Sequence, residues 1–335
     1  MDFQTDWIIA EIGSVHDGSF GNATKLIDAA AEAGANCVKF QVHVAEAETL
    51  KDAPEPSYFK GENRLDYFRR TSFSRRQWGL LAETARAANV SFLASPFAAE
   101  AVDLLEDVGV TAYKVASGEV TNLPLIKRIS ETGKPVMLSS GMSSWDELET
   151  AAEILGKGAN LCVMQCTSAY PTSPSQVGLN NLEEIAARFP EVVLGYSDHT
   201  MGVAAGIAAV TLGADVIEKH FAFSRLMYGS DAQHSMEPEE FRAFSMALRD
   251  AWEMRRTPVD KNQLAQGDLK NMKLIFQKSI VAACEIQAGT KLTREHLAFK
   301  KPGDGISAAD FESLIGRKLK VSISSDHKFS EEDFE

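Results

Sequence analysis

Eight short apolar runs, separated by longer stretches of helical period, constrain this 335-residue chain more than any other feature. The runs are Trp7–Glu11, Cys37–Val42, Ser91–Ser95, Ala112–Ala116, Pro135–Ser139, Leu161–Thr167, Val192–Tyr196 and Asp215–Lys219. Between the first two, Asn22–Ala33 carries apolar residues at Leu26, Ile27, Ala30 and Ala33 and stops at Gly34, as an amphipathic helix with a glycine cap does. Trp145–Leu155, Val203–Leu212 and Pro238–Met254 read the same way. A strand parallel to its predecessor needs a crossover, and a helix supplies it. Eight such units within about 250 residues are the size of a closed (β/α)8 TIM barrel. An open doubly wound sheet is the alternative, but no glycine-rich phosphate loop accompanies these runs.

The pattern changes after Met254. Arg255–Phe276 is polar and irregular, and strand-like pieces resume at Ser279–Ala283 and Lys318–Ile323. Ile286–Leu292 and Thr293–Leu297 read as a strand, a tight turn and a short helix. The division expected is a barrel over 1–258, a linker over 259–277 and a small domain over 278–335. Four cysteines, Cys37, Cys162, Cys166 and Cys284, lie in apolar runs without Cys-x-x-Cys spacing, so reduced, buried thiols used for packing are expected. Met1–Asp6 lacks the basic-then-apolar order of a signal peptide, and no apolar run reaches about 18 residues. A cytoplasmic protein follows as the expectation. The net charge of -13 opposes nucleic acid and anionic membranes as partners, so an anionic substrate would need a local basic pocket.

Catalytic residues of a barrel come from the C-terminal ends of its strands. Glu11, Lys39, Gln41, Ser95, Lys114, Ser117, Ser139, Gln165, Ser197, His199, Glu218 and His220 all stand there. One strand-end histidine is more often merely hydrogen-bonded. Two, His199 and His220, with the carboxylates Asp198, Glu218 and Asp231 nearby, favour a divalent cation, and imidazole ligands suit Mn, Zn or Fe better than Ca. Lys39 and Lys114 follow apolar strands, where a buried ammonium needs an anion; Ser95, Ser117 and Ser197 add hydroxyl donors. Lys219 reads instead as a lysine snorkelling outwards. A lysine Schiff base is the competing chemistry. Glu11, Asp17 and Glu119 are acids suited to sugar hydroxyls or proton transfer, and Tyr170 could hold a substrate ring.

Ala10-Glu-Ile-Gly13 with His16-Asp-Gly18, Val38-Lys-Phe-Gln41, Ser95-Pro-Phe97, Tyr113-Lys-Val-Ala-Ser-Gly-Glu119, Asn122-Leu-Pro-Leu-Ile126, Leu138-Ser-Ser-Gly-Met142, Cys166-Thr-Ser-Ala-Tyr-Pro171, Gly195-Tyr-Ser-Asp-His-Thr200 and Ile217-Glu-Lys-His-Phe221 occur in this order. Together they resemble the sialic acid synthase family. The tail Ser279–Phe334, with Lys300-Lys-Pro-Gly-Asp-Gly305, resembles its C-terminal antifreeze-like (SAF, β-clip) domain. The resemblance implies condensation of phosphoenolpyruvate with an N-acetylated amino-sugar aldehyde such as N-acetylmannosamine. It implies a divalent metal on His199 and His220, manganese ahead of magnesium, cobalt and zinc. It places Lys39, Ser95, Lys114, Ser117 and Ser197 on phosphoenolpyruvate. Asp17, Glu119, Tyr170 and Asp231 face the sugar, and Glu218 lies beside the metal; Glu218, Asp17 and Glu119 are the catalytic acids expected. It also implies a domain-swapped homodimer.

Several positions depart from the family pattern. Val15 precedes His16 and Ser168 precedes Ala169-Tyr170, each where the family carries asparagine; Ser230-Asp231-Ala232 displaces a histidine to His234; and Lys301 replaces an arginine, losing its planar fork. The missing histidine and Cys166–Pro171 look pseudaminate-like, whereas Ala116–Glu119 looks neuraminate-like. The aldose therefore stays open, with pseudaminic, legionaminic and spore-coat polysaccharide synthesis as alternatives. A Schiff-base lyase and a non-catalytic carbohydrate-binding barrel are the other readings.

Overall fold

The structure is a computed structural model that describes residues 6–54, 62–156, 158, 160–267 and 269–335. Residues 1–5, part of the segment read for a targeting signal, lie outside them. Eight parallel strands close into a barrel in chain order: β1 (Trp7–Gly13), β2 (Cys37–Val42), β3 (Ser91–Pro96), β4 (Ala112–Val115), β5 (Val136–Ser139), β6 (Leu161–Cys166), β7 (Val193–Asp198) and β8 (Val216–His220). β8 returns to β1 in parallel, with Glu11 opposite His220. Each expected strand is present, with ends shifted by one or two residues. Among the described residues, no helix is long and apolar enough to cross a membrane.

Pleating explains where the chemistry sits. Alternate residues of a strand point to opposite faces. Ile8, Ala10, Val38, Phe40, Phe92, Tyr113, Leu138, Val163 and Ile217 pack in the large core that includes the surrounding helices. Trp7, Ile9, Cys37, Leu93, Ala112, Met137, Cys162, Met164 and Val216 pack together as a second, separate core. This apolar plug fills the bore. Further along each strand, the same inward parity brings Glu11, Lys39, Ser95, Lys114, Ser139, Cys166, Ser197 and Glu218 onto the plug, all of them buried. The site is thus a polar belt on a hydrophobic floor.

Helix Phe20–Glu32 illustrates the crossovers. Ser19 caps it by accepting from the Asn22 N–H, Leu26, Ile27 and Ala30 are buried, and Gly34 follows at φ +96°, a backbone state glycine adopts without penalty.

The chain forms two compact units, Met1–Thr257 and Pro258–Glu335. The stretch expected to be irregular is helical: Pro238–Arg256 runs two residues beyond its expected end, and Lys261–Gln266 and Lys270–Phe276 follow. Neither short helix buries a residue. In the second unit β9 (Ser279–Ala282) pairs antiparallel with β10 (Leu297–Lys300) over Ile280, Ala282, Ile286, Leu292, Leu314, Leu319, Ile323, Phe329 and Phe334. Lys318–Ile323 makes isolated bridges rather than the continuous strand expected. The expectation of buried thiols also needs correcting: all four cysteines are free, but Cys284 is exposed, because it follows β9 into a turn.

Candidate active site

Glu218 is the hub of the belt. Its Oε2 lies 3.1 Å from Lys114 Nζ, and its Oε1 lies 3.5 Å from Lys39 Nζ and accepts from Ser197 Oγ at 3.1 Å. Lys39 Nζ also meets Glu11 Oε2 at 2.9 Å and donates to Ser95 Oγ at 3.3 Å. The expectation that these lysines need an anion is met within the protein. Burial alone would raise the Glu218 carboxyl, but the two ammonium groups outweigh it and hold it near 2. Glu11 behaves oppositely. Its burial dominates over Lys39, and Glu218 and Asp231 add repulsion, so it rises to about 7. For Lys39, burial lowers, but Glu11 and Glu218 raise further, keeping it an ammonium.

The imidazoles of His199 and His220 stand above this cluster with ring centroids 5.4 Å apart. His199 Nδ1 donates to the Thr167 carbonyl at 2.8 Å, which leaves Nε2 for another partner. Burial lowers His220 to about 4, so its ring is neutral at pH 7, and its buried Nδ1 has no hydrogen-bond partner. Asp231 Oδ2 is 3.9 Å from that nitrogen. A buried, unpartnered nitrogen of a neutral ring beside a second imidazole of fixed tautomer fits a divalent cation. No group of three or more His, Cys, Asp or Glu side chains stands at ligand spacing among the described residues, so the protein offers this pair, and water or substrate oxygens would complete the shell. The Tyr170 ring covers both, 4.2 Å from His199 and 5.9 Å from His220, and His234 reaches within 6.5 Å of it. Gly13, at φ +52°, leaves room here: a Cβ would stand 2.9 Å from Asp231 Oδ2 and 3.3 Å from Glu11 Oε1.

A second polar group lies beside β5 and β6. Ser117 Oγ is 3.0 Å from Ser139 Oγ and accepts from the Gly141 N–H at 3.2 Å. A Cβ on Gly141 would meet Ser168 Oγ at 2.5 Å and Ser117 Oγ at 2.6 Å, so glycine keeps this hydroxyl and amide cradle open.

Other candidates lie elsewhere. Asp198 has the outward parity of β7, and its Oδ2 binds Lys219 Nζ at 2.8 Å behind the sheet. That removes Asp198 from the carboxylates expected near the histidines, and Lys219 is paired and buried rather than snorkelling. Asp17, in a left-handed turn, accepts from Arg70 at 2.6 Å, and Arg70 also pairs with Glu62. It belongs to the rim rather than the belt. Glu119 accepts from Asn122 at 2.8 Å, and burial pushes its carboxyl up. Lys301 is in the second unit, its Nζ 4.8 Å from the Phe276 ring centre.

Sequence reasoning missed two residues. Cys166, assigned to packing, has its Sγ 3.8 Å from His199 Nδ1; burial pushes the thiol up, but the imidazole outweighs this and holds it near 7. His43, which follows β2 with the inward parity of Lys39 and Gln41, makes ordered contacts described below. Continuing that parity past the strand end was the signal for it.

A closed barrel with buried lysines, a bridging glutamate and two poised imidazoles at the C-terminal ends of its strands is the architecture of a barrel enzyme acting on an anionic substrate. The family follows from comparison. The NeuB family matches residues 26–259 and the SAF domain residues 277–335. The chain belongs to the NeuB family, and its fold is a TIM barrel followed by a SAF domain. N,N'-diacetyllegionaminic acid synthase of Campylobacter jejuni is 34% identical over 319 residues, spanning 92% of this chain and 94% of its own length. N-acetylneuraminate-9-phosphate synthase of Mus musculus is 35% identical over 337 residues, spanning 98% and 92%. The crystal structure of N-acetylneuraminic acid (sialic acid) synthetase from Leptospira borgpetersenii, in complex with citrate, matches with a TM-score of 0.71 at 29% identity, over 80% of this chain and 92% of that one.

Proposed function

We propose that this chain is a nonulosonic acid synthase. C3 of phosphoenolpyruvate attacks the aldehyde carbon of an open-chain N-acetylated amino sugar, water adds at C2, and phosphate leaves by C–O cleavage. The observation that carries the reading is the bridge Lys39–Glu218–Lys114 beneath two imidazoles, which supplies fixed charge for an anion next to a site for an electrophile. The names of two relatives, N,N'-diacetyllegionaminic acid synthase and N-acetylneuraminate-9-phosphate synthase, support it.

Each group has a role under this reading. Lys39 and Lys114, with Ser95 and Ser197, bind the carboxylate and phosphate of phosphoenolpyruvate; Ser117, Ser139 and the Gly141 N–H extend the cradle. The two lysines are already balanced by Glu218 and partly by Glu11, so a trianionic substrate requires more positive charge than this cluster provides. His199 and His220 would hold a divalent ion, manganese ahead of magnesium, cobalt and zinc, which when bound supplies that charge and a Lewis acid for the aldehyde oxygen. Glu11, poised near neutrality, accepts or gives a proton, while Glu218 stays a carboxylate that aligns both lysines. Asp231, Tyr170, Glu119 and Asp17 face the sugar, with Lys301 of the small domain meeting its N-acyl end in a domain-swapped homodimer in the cytoplasm. A Schiff base on Lys39 fits poorly, since that lysine is held as an ammonium and an amine nucleophile must be neutral.

The test is phosphate release from phosphoenolpyruvate with mono- and di-N-acetylated hexoses, free and 6-phosphorylated. At least one sugar should drive turnover that chelation abolishes and Mn restores. A borohydride-trapped pyruvate adduct on lysine, or no turnover with any of these sugars, overturns the reading.

A further inference from the structure

His43 takes no part in the chemistry above, yet it is one of the most tightly held side chains at the mouth. Its ring is stacked between Phe68, 3.7 Å between centroids at 7°, and Phe97, 4.3 Å at 12°. Its Nδ1 is 2.6 Å from Glu48 Oε1, and both side chains are buried. Its Nε2 is 3.4 Å from Gln41 Oε1, and Gln41 Nε2 donates to Glu11 Oε1 at 3.0 Å. Glu11 then meets Lys39. Glu48, His43, Gln41, Glu11 and Lys39 form one continuous chain of contacts from the loop after β2 into the polar belt.

The middle of this chain has two possible states. The two ends of a glutamine amide have nearly the same shape, but one only donates and the other only accepts. With its oxygen towards His43, Gln41 gives Glu11 an N–H. Turned over, it would set an amide oxygen against the ionised Glu11 carboxylate in a buried place, two acceptors facing each other with no proton between them. An imidazolium at His43, donating from Nδ1 to Glu48 and from Nε2 to Gln41, selects the first state, and the Glu48 carboxylate fixes the ring. We propose that His43, anchored by Glu48, is a positioning residue that orients the Gln41 amide and thereby sets the Glu11 carboxylate against Lys39. Its effect on turnover rests on the proposed function; its effect on the amide does not.

Two substitutions separate orientation from packing. His43→Gln carries its amide nitrogen near the position of Nε2 and can still donate to Gln41. His43→Asn carries it near the position of Nδ1 and can bond only Glu48. Both lose the aromatic stack. The Gln41 side-chain amide signal is followed by NMR of protein labelled with 15N-glutamine, and is identified by its loss in Gln41→Leu. It should move in His43→Asn and stay close to the wild type in His43→Gln. Kcat for phosphate release should be at least roughly tenfold higher in His43→Gln than in His43→Asn, the usual scale for a residue that orients a reacting group. Glu48→Leu, which leaves ring and stack in place, should displace the same signal and serves if a His43 variant folds poorly. Equal effects of His43→Gln and His43→Asn, or an unmoved signal in Glu48→Leu, overturn the proposal. The expected NMR pattern in a protein that does not turn over phosphoenolpyruvate would leave the positioning role standing and remove the proposed function.

Discussion

Glu11 and Glu218 are both buried carboxylates on Lys39, and their environments push them in opposite directions. Glu218 has two ammonium partners and is held near 2, whereas Glu11 has one and rises to about 7. Opposed shifts in neighbouring acids separate a permanent charge from a proton carrier. The shift also has a consequence for stability. Glu11 binds its proton more tightly in the folded chain than at its ordinary value of 4.5, so its contribution is fully present below that pH and is lost as pH rises through about 7. Glu11→Gln has no such dependence. In metal-free protein, its melting temperature should therefore gain on the wild type by a few °C between pH 5 and pH 8. A difference that stays constant or shrinks with pH, measured by scanning fluorimetry, would contradict the assignment. Of the residues in and above the belt, Lys39, Lys114, His199, Glu218 and His220 could be read from the sequence because each stands in or just after an apolar run. Asp198 could not be placed, since its exclusion depends on which face of β7 is inward, and one residue of register reverses that.

At the scale of elements, β7 and β8 end in matched pairs, Asp198-His199 and Lys219-His220. The inward members form the imidazole pair, and the outward members form a buried ion pair that ties the two strands together from behind. Asp198 Oδ1 further accepts from the Thr200 N–H at 2.8 Å, and Lys219 Nζ binds the carbonyls of Thr200 and Gly202. Lys219→Met leaves Asp198 as an uncompensated buried charge and should cost about 3–5 kcal/mol in urea unfolding. Adding Asp198→Asn should recover part of that loss; a cost under about 1 kcal/mol for the single variant would mean the pair carries little of the structure. The eight strands were legible because each is a short β-rich run between helical segments, and only their ends shifted. Lys261–Gln266 and Lys270–Phe276 were not, because at six and seven residues each spans too few turns to set a period apart from its neighbours.

Across the whole molecule, a barrel unit and a small unit with its own apolar core divide the chain after Thr257. What the small unit does was not visible, since no pattern in a single chain reports a partner copy. The proposed homodimer predicts a light-scattering mass of twice the 36.5 kDa chain at micromolar concentration, and a monomer would contradict it. The sugar is equally unresolved by overall likeness, because a legionaminate synthase and a neuraminate-9-phosphate synthase match at 34% and 35% identity. Their shared chemistry is what the belt supports, and one measurement reaches it directly. Turnover of phosphoenolpyruvate with the accepted sugar in water enriched in 18O should release phosphate free of label and place the label in the new keto acid, because water attacks carbon. Label in the phosphate, or release that does not need the sugar, would show that the lysine and histidine belt performs a different reaction.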